Sequence, residues 1–494
     1  AGSMATALAA VMAAATLSCH ASGEEMMRKT RMMSVPAFST GLGRSLTGRA
    51  CFEDGMRKLC KVRRQPHNHL LLSMQSDQAR AWKSFEEWAE KAGIENSKIK
   101  MSEFASGLRG MKAISPVSPG DILVTVPSTS VLRVVKGQSR MPARLQGYVS
   151  DGTWQGMEWW AQLAVLLLWE KGHARPASTE PSSFVRWIEI LPRSLNTPFH
   201  WKEEEIQQLQ YQPLIDKVDK QKREWRSIFE KISRDNANFE EAEFYNACEL
   251  ARSRAFSGPY VGKVPKDQMF LTGLLVAVST QLHLLEASQA ALGAVLVIGG
   301  ILANTFLFPN FLGLTHYVIA PMIDMINHDG RSKSIVTYQA LQASFEVQSS
   351  ADFSVGEQVF ISYGDRSNDQ LLQYYGFVEM DNIHDLYEVA DFEGKLRSKG
   401  GQRASEPAVK TAYVSSKGLD EASMTKAKSM FQDEASARRA VKEVLEQELQ
   451  SFPTTLDEDE VALRSRSALQ TSFPLALSFR VSKKRLLQQV LQNL

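Results

Sequence analysis

Cysteine is scarce in this chain of 494 residues: Cys19, Cys51, Cys60 and Cys248, with no CxxC spacing, and only Cys248 outside the amino-terminal segment. A disulfide framework or a cysteine-ligated zinc cluster in the folded body is thereby excluded, and a reduced, metal-free protein is expected. Net charge is almost absent as well, at +2. Residues 1–74 hold ten Lys/Arg against four Asp/Glu, leaving 47 against 51 in the remainder. A mildly acidic body offers no broad basic face, so no nucleic-acid partner is expected. Formal charge is missing altogether from Gln268–Leu285 and again from Ala287–Ile323, with Glu286 between them. What is present is ordinary globular composition, 44% hydrophobic and 23% charged, in a chain long enough for two or three domains.

The amino-terminal 74 residues carry an address. Met4–Ala21 is small and apolar without a charge, and Arg28, Lys29, Arg31, Arg44, Arg49, Arg57, Arg63 and Arg64 follow. Enrichment in Ser, Thr, Ala and Arg with few acids is transit-sequence composition; the apolar start also reads as a signal core of bipartite targeting, and a plain disordered tail is the other alternative. Folded structure is expected to begin near Ala79–Trp88, where Trp82, Phe85 and Trp88 recur at helical spacing.

Beyond it, Ser106–Ser128 alternates short apolar runs with Gly and Pro, predicting strand, turn, strand around Pro119-Gly120-Asp121. Residues 156–172 and 202–250 have helical period, Val336–Val347 and Glu357–Ser362 return to strand-like alternation, and from about 420 the chain reads as charged helix. Strands flanking a helical insertion, followed by a helical lobe, predict an α+β protein and not a run of βαβ units.

Four segments then stand in a telling order. They are Gly107-Leu108-Arg109-Gly110-Met111-Lys112-Ala113; Ser253-Arg254-Ala255-Phe256; Pro321-Met322-Ile323-Asp324-Met325-Ile326-Asn327-His328; and GEQVFISYGDRSNDQLLQYYGFVEMDN, which contains Tyr363, Tyr375 and Phe377. Together they resemble the SET domain of protein-lysine methyltransferases of the Rubisco large-subunit methyltransferase (LSMT) class. LPRSLNTPFHW at 191–201 is similar to the family's insertion segment, and TTLDEDEVAL with SFRVSKKRLLQQVL is similar to its substrate-binding lobe.

The resemblance implies a SET β-fold with a pseudoknot-like crossing, a helical insertion within it, and an all-helical carboxy-terminal lobe. The expected divisions are a targeting segment over 1–74, a SET domain over 75–390 (helical insertion about 136–250, apolar insertion about 265–317), and a substrate-binding lobe over 391–494. The implied cofactor is S-adenosyl-L-methionine. Gly107, Leu108, Arg109, Gly110, Ser253, Arg254, Asp324, Asn327 and His328 are its expected contacts: glycines for close backbone approach, Arg254 for the carboxylate, Asn327 and His328 for the adenine and amino-acid portions. Arg254 in a purely structural salt bridge is the alternative. Tyr363 is the expected catalytic residue, and Phe256, Tyr375 and Phe377 the expected walls of a lysine channel. Phe256 stands where the family's actin-histidine branch has Asn, which favours lysine as the methyl acceptor. The implied partner is a protein substrate, with Rubisco large subunit or plastid aldolase suggested by the family, in a plastid. A catalytically silent SET-derived scaffold is the competing reading.

One departure from the family stands out. Arg254 and Asp324 lie 70 positions apart, farther than in typical members, and the extra stretch is the charge-free one. It predicts either a membrane-contacting hairpin through 268–323 or a buried helical pair over the SET core.

Overall fold

In the computed structural model, residues 67–494 are described apart from 105–106, 137–139, 173–183, 259, 261–265, 282–285, 303–314, 341, 404–407 and 466–471. The targeting segment expected over 1–74 lies, as far as residue 66, outside the described residues.

The first described helix, α1 (His67–Lys91), starts earlier than the aromatic spacing predicted, and Phe85 and Trp88 bury the face that spacing identified. Strands β1 (Ile99–Glu103), β2 (Arg109–Ala113), β3 (Ile122–Pro127) and β4 (Leu132–Val135) follow. The helical insertion then supplies α2 (Trp159–Gly172), α3 (Gln212–Asp235) and α4 (Glu241–Arg254). Helix α2 is apolar nearly all round and correspondingly buried, from Trp160 to Leu167 without a break, as a helix surrounded by other elements must be.

After α4 come β5 (Phe256–Gly258), helices α5 (Lys266–Gln281) and α6 (Ala287–Leu302), then β6 (His316–Ile319), β7 (Asn327–His328), β8 (Val336–Gln339), β9 (Ser344–Gln348) and β10 (Gln358–Ile361). Helix α7 (Asn368–Tyr375) leads to β11 (Leu386–Ala390), β12 (Thr411–Ser415), β13 (Gly418–Leu419), and helices α8 (Glu421–Met430), α9 (Glu434–Gln450), α10 (Leu456–Arg464) and α11 (Ser472–Asn493). Asp420, Asp433 and Thr455 cap α8, α9 and α10 by accepting from backbone N–H groups that have no helical partner.

The strands form small sheets ordered β1-β2-β10-β7, β3-β9-β8, β4-β6-β5 and β11-β12-β13. The turn expected at Pro119-Gly120-Asp121 is present, with Gly120 at φ +95°. The strands on either side of it do not pair with each other: β2 pairs with β1 and β10, whereas β3 pairs with β9. Alternation marks each strand but carries no record of its partner.

A correction concerns the carboxy-terminal lobe, which is not all helix. It contributes β12 and β13 to an antiparallel sheet with β11 just before it, the LYEVA and TAYVS strands pairing Tyr387 with Val414 and Val389 with Ala412. The two longer strands bury only two apolar residues each and β13 buries none, too few for a period to register over the helical pattern that follows.

The lobe shares a hydrophobic core with the insertion and α7, through Tyr211, Leu214, Leu372, Tyr387, Val441 and Phe479. Through that core runs a set of buried ions. Lys483 is fully buried against Asp369 and Asp385, at 2.8 Å from the latter's Oδ1. Its neighbour Lys484 reaches Asp459 Oδ2 at 2.6 Å, and Arg480 takes the same carboxylate from the other side. Lysines of this kind are tolerated only because every charge has an opposite beside it.

Candidate active site

The 70-residue separation of Arg254 and Asp324 is closed by pairing of β5 with β6, Phe256 opposite Val318 and Gly258 opposite His316. The insertion therefore leaves and re-enters through adjacent strands. At their base Arg254 Nη1 donates to Asp324 Oδ2 at 2.9 Å and to the Asp324 carbonyl at 2.8 Å. Asp324 is completely buried and takes a further bond from Trp187 Nε1 at 3.1 Å. Burial pushes its carboxyl above the ordinary carboxylate range, against the opposing pull of Arg254 and Trp187. Two residues before it, buried Met322 adopts φ +76°, an uncommon conformation for a residue with a side chain. Trp187 carried no signal of its own in the sequence, since a tryptophan in an apolar helical stretch is ordinarily core.

The next residues run along the strand that leads to Tyr363. Asn327 pairs with Phe360 and His328 with Ile361 in a parallel β7–β10 ladder. The Tyr363 hydroxyl donates to the Ile326 carbonyl at 2.9 Å, and its backbone N–H donates to His328 Nδ1 at 3.0 Å. His328 is therefore a neutral acceptor at Nδ1, and burial lowers its pKa, with Glu379 the main opposing influence. Asn327 Nδ2 donates to the Arg109 carbonyl at 2.8 Å, tying β7 to the glycine-rich strand β2. At Gly110 a Cβ would come within 2.7 Å of both Asn327 Nδ2 and Gln358 Nε2. The glycine at this position thus makes room for the protein's own side chains.

Rings gather around Tyr363. His328 stacks on it with centroids 4.9 Å apart, Tyr375 stacks on the Tyr363 ring at 5.0 Å, and Phe377 stands edge-on to Tyr375 at 6.2 Å. Tyr375 and Phe377 are placed by the end of α7, where Gly376 turns with φ +76° and a Cβ would strike the Asn196 carbonyl at 2.9 Å. Asn196 belongs to the LPRSLNTPFHW segment. That segment is pinned to α4 by buried Glu249, which accepts from Thr197 Oγ1 and, at 2.8 Å, from His200 Nε2. Burial pushes the Tyr363 phenol far above its ordinary value. It therefore stays protonated at working pH and acts as a fixed dipole.

Other expected site residues stand apart from this cluster. Phe256 makes ring contacts with Tyr260 and Phe345, in a separate aromatic group. Ser253 Oγ donates to the Glu249 carbonyl one turn back along its own helix. Arg109 spends Nη1 on the Ile190 carbonyl, while Gly107 and Leu108 are exposed. A cavity of about 450 Å³, lined by Trp159, Gln221, Trp225, Arg252, Gln373 and Tyr374 among others, contains none of the expected site residues. Arg254 Nε, Asp324 Oδ1 and Gln358 Nε2 are buried without hydrogen-bond partners among the described residues. They leave two donors and one acceptor unmet, of the kind a polar ligand satisfies.

This arrangement can be compared with known proteins. Residues 339–487 match the family model for the Rubisco LSMT substrate-binding domain. The structure superimposes on the SET domain of LSMT bound to lysine and AdoHcy with a TM-score of 0.54 at 19% identity, covering 84% of this chain and 91% of that one. The fold is that of an LSMT-like SET domain. The chain is also 23% identical over 459 residues to the chloroplastic ribulose-1,5-bisphosphate carboxylase/oxygenase large-subunit N-methyltransferase of Pisum sativum, covering 83% of this chain and 81% of the relative. The actin-histidine N-methyltransferase of Xenopus tropicalis is 24% identical over 309 residues, 61% of this chain. The chain spans 44% of that relative's length.

Proposed function

We propose that this SET protein is an S-adenosylmethionine-dependent protein-lysine N-methyltransferase acting on a plastid protein. The observation that carries the reading is the Tyr363 hydroxyl, held on the Ile326 carbonyl at the β7–β10 crossing and flanked by His328 and Tyr375.

The residues present fit the cofactor. Arg254 Nε and Gln358 Nε2 are unmet donors, Asp324 Oδ1 is an unmet acceptor, and Gly107 and Leu108 are exposed. Arg254, Asp324, Asn327, His328 and the Gly107–Gly110 stretch are the residues that would hold it. When bound, S-adenosylmethionine supplies an electrophilic sulfonium methyl. The chain's part is positioning. Tyr363, unable to ionise, orients the attacking amine and does not take its proton. The amine has to be neutral, which at pH 7–8 costs about 3–5 kcal/mol for an unperturbed lysine. Tyr375 and Phe377 reduce that cost by excluding water from the approach to Tyr363.

Two observations favour lysine in a plastid. Phe256 occupies the position that resemblance associates with lysine-directed members, and the targeting composition of residues 1–74 accords with the chloroplastic relative. Histidine is the second reading, because actin-histidine methyltransferases stand among the relatives. The test is transfer of labelled methyl from S-adenosylmethionine into a plastid extract by wild type and Tyr363→Phe. A band given by wild type and lost in the variant, mapped by mass spectrometry to lysine, is the expected result. A band mapped to histidine moves the assignment to the second reading. Cofactor binding without any band identifies a silent scaffold.

A further inference from the structure

The charge-free insertion does not take the buried form that its sequence offered as one alternative. Among the described residues no helix is long and apolar enough to cross a membrane. The helical pair is exposed over much of its described side chains. Helices α5 and α6, 16 residues each, pack on one another. Among the described side chains a partly buried stripe runs along each, Thr272, Val276 and Thr280 on α5 and Ala291, Ala294 and Ile298 on α6. Others face outward: Leu274, Leu275 and Val278 on α5, and Leu292, Val295, Leu296 and Val297 on α6, are between 45% and 67% exposed. An apolar surface of this extent on a soluble domain marks an interface.

Three features decide what covers it. At 1.5 Å per residue each helix is about 24 Å long, short of the ~30 Å of a hydrocarbon core, and tip-first insertion would bury exposed Glu286 in the connection between the helices. A helix lying in the plane of a lipid surface needs a charged or polar face, and neither helix has one along its exposed side. The area also suits a protein partner: the seven outward side chains expose on the order of 700 Å², close to the ~800 Å² per partner of a stable interface. With no charge on the face to select a different partner, the same patch on another molecule is its natural complement, as in two-fold dimers.

We propose that the α5–α6 hairpin is a self-association module, pairing with the hairpin of a second copy of this chain as a four-helix bundle. Glu286 stays in solvent at each end. This holds whether or not Tyr363 serves methyl transfer, since the hairpin contains none of the candidate site residues.

Sedimentation velocity of the full chain over 1–100 µM tests it. The expected result is a concentration-dependent species of twice the 55.1 kDa chain mass. Leu275→Glu and Leu296→Glu, each placing a carboxylate on the outward face, should weaken dimerisation at least 100-fold while circular dichroism and the unfolding midpoint stay near wild type. Leu275→Ala and Leu296→Ala, which add no charge, should weaken it by a smaller factor, so a misfolded charged variant leaves the test intact. A wild-type chain that stays monomeric throughout overturns the proposal, as does a dimer indifferent to all four substitutions. Co-sedimentation of the wild-type monomer with phosphatidylcholine–phosphatidylglycerol vesicles overturns it in favour of lipid.

Discussion

Replacing Arg254 by methionine separates a residue that holds the site together from one that merely touches a ligand. Methionine keeps most of the aliphatic volume but removes both Nη1 bonds to Asp324, leaving a fully buried carboxylate with Trp187 Nε1 and the Met322 backbone as its remaining hydrogen-bond donors. Breaking one side of a buried ion pair costs about 3–5 kcal/mol, because the charge left behind is neither solvated nor paired. The pair is only 15% and 0% exposed at its two side chains, so solvent screening removes little of that. The penalty also has a pH signature. Asp324 is already raised above its ordinary value by burial, and loss of Arg254 raises it further. A carboxyl raised in the folded state favours folding below its unfolded pKa of about 3.9 and loses that contribution as pH rises through the folded value. The variant should therefore approach wild-type stability in acid and fall behind it towards neutrality. Urea unfolding followed by tryptophan fluorescence between pH 4.5 and 8 measures this. The double variant Arg254→Met/Asp324→Asn should recover most of the loss at pH 8. A cost under about 1 kcal/mol, or one that does not change with pH, would show that Arg254 does not hold Asp324 as described.

Two further expectations follow from the same structure. Lys483→Met strands Asp369 and Asp385 in the core joining α7, β11 and α11, so unfolding stability should drop by about 3–5 kcal/mol, with partial recovery on adding Asp369→Asn; a neutral outcome in denaturant titration contradicts the network. His200 has its pKa raised by the hydrogen bond to Glu249, with burial opposing, so its contribution is full below about 6.5 and lost as pH rises through the folded value. Wild type should lose stability relative to His200→Gln between pH 6 and 8, and parallel pH profiles would refute the pairing.

Part of the architecture was implied by the resemblance of a few motifs to a known family. It implied a pseudoknot-like crossing and aromatic walls at Tyr375 and Phe377, and in the structure β7 lies beside β10 with both rings near Tyr363. What was not legible depends on distant partners. Pairing of β2 with β10 rather than β3, and the β11-β12-β13 sheet, are set by which surfaces meet, to which alternation within one strand is blind. Contacts of Asn327 and Gly110 within the chain were hidden for a similar reason: Asn327 bonds the Arg109 carbonyl and Gly110 clears space for it. The buried lysines were hidden too, because Ser-Lys-Lys-Arg in a helix reads as a solvated face until the carboxylates of Asp369, Asp385 and Asp459 arrive from elsewhere in the chain.

The β5–β6 ladder also bears on how such a chain can change. Because Gly258 and His316 are fixed opposite each other, the spacing of Arg254 and Asp324 is independent of how much polypeptide is spliced between the two strands. Doubling the length of such an excursion adds only about 0.6 kcal/mol of closure entropy. The ladder is thus a socket. Lineages can lengthen, trim or exchange the cassette it holds, and an experimenter can graft a fluorescent or affinity domain there, with the tyrosine site left in register.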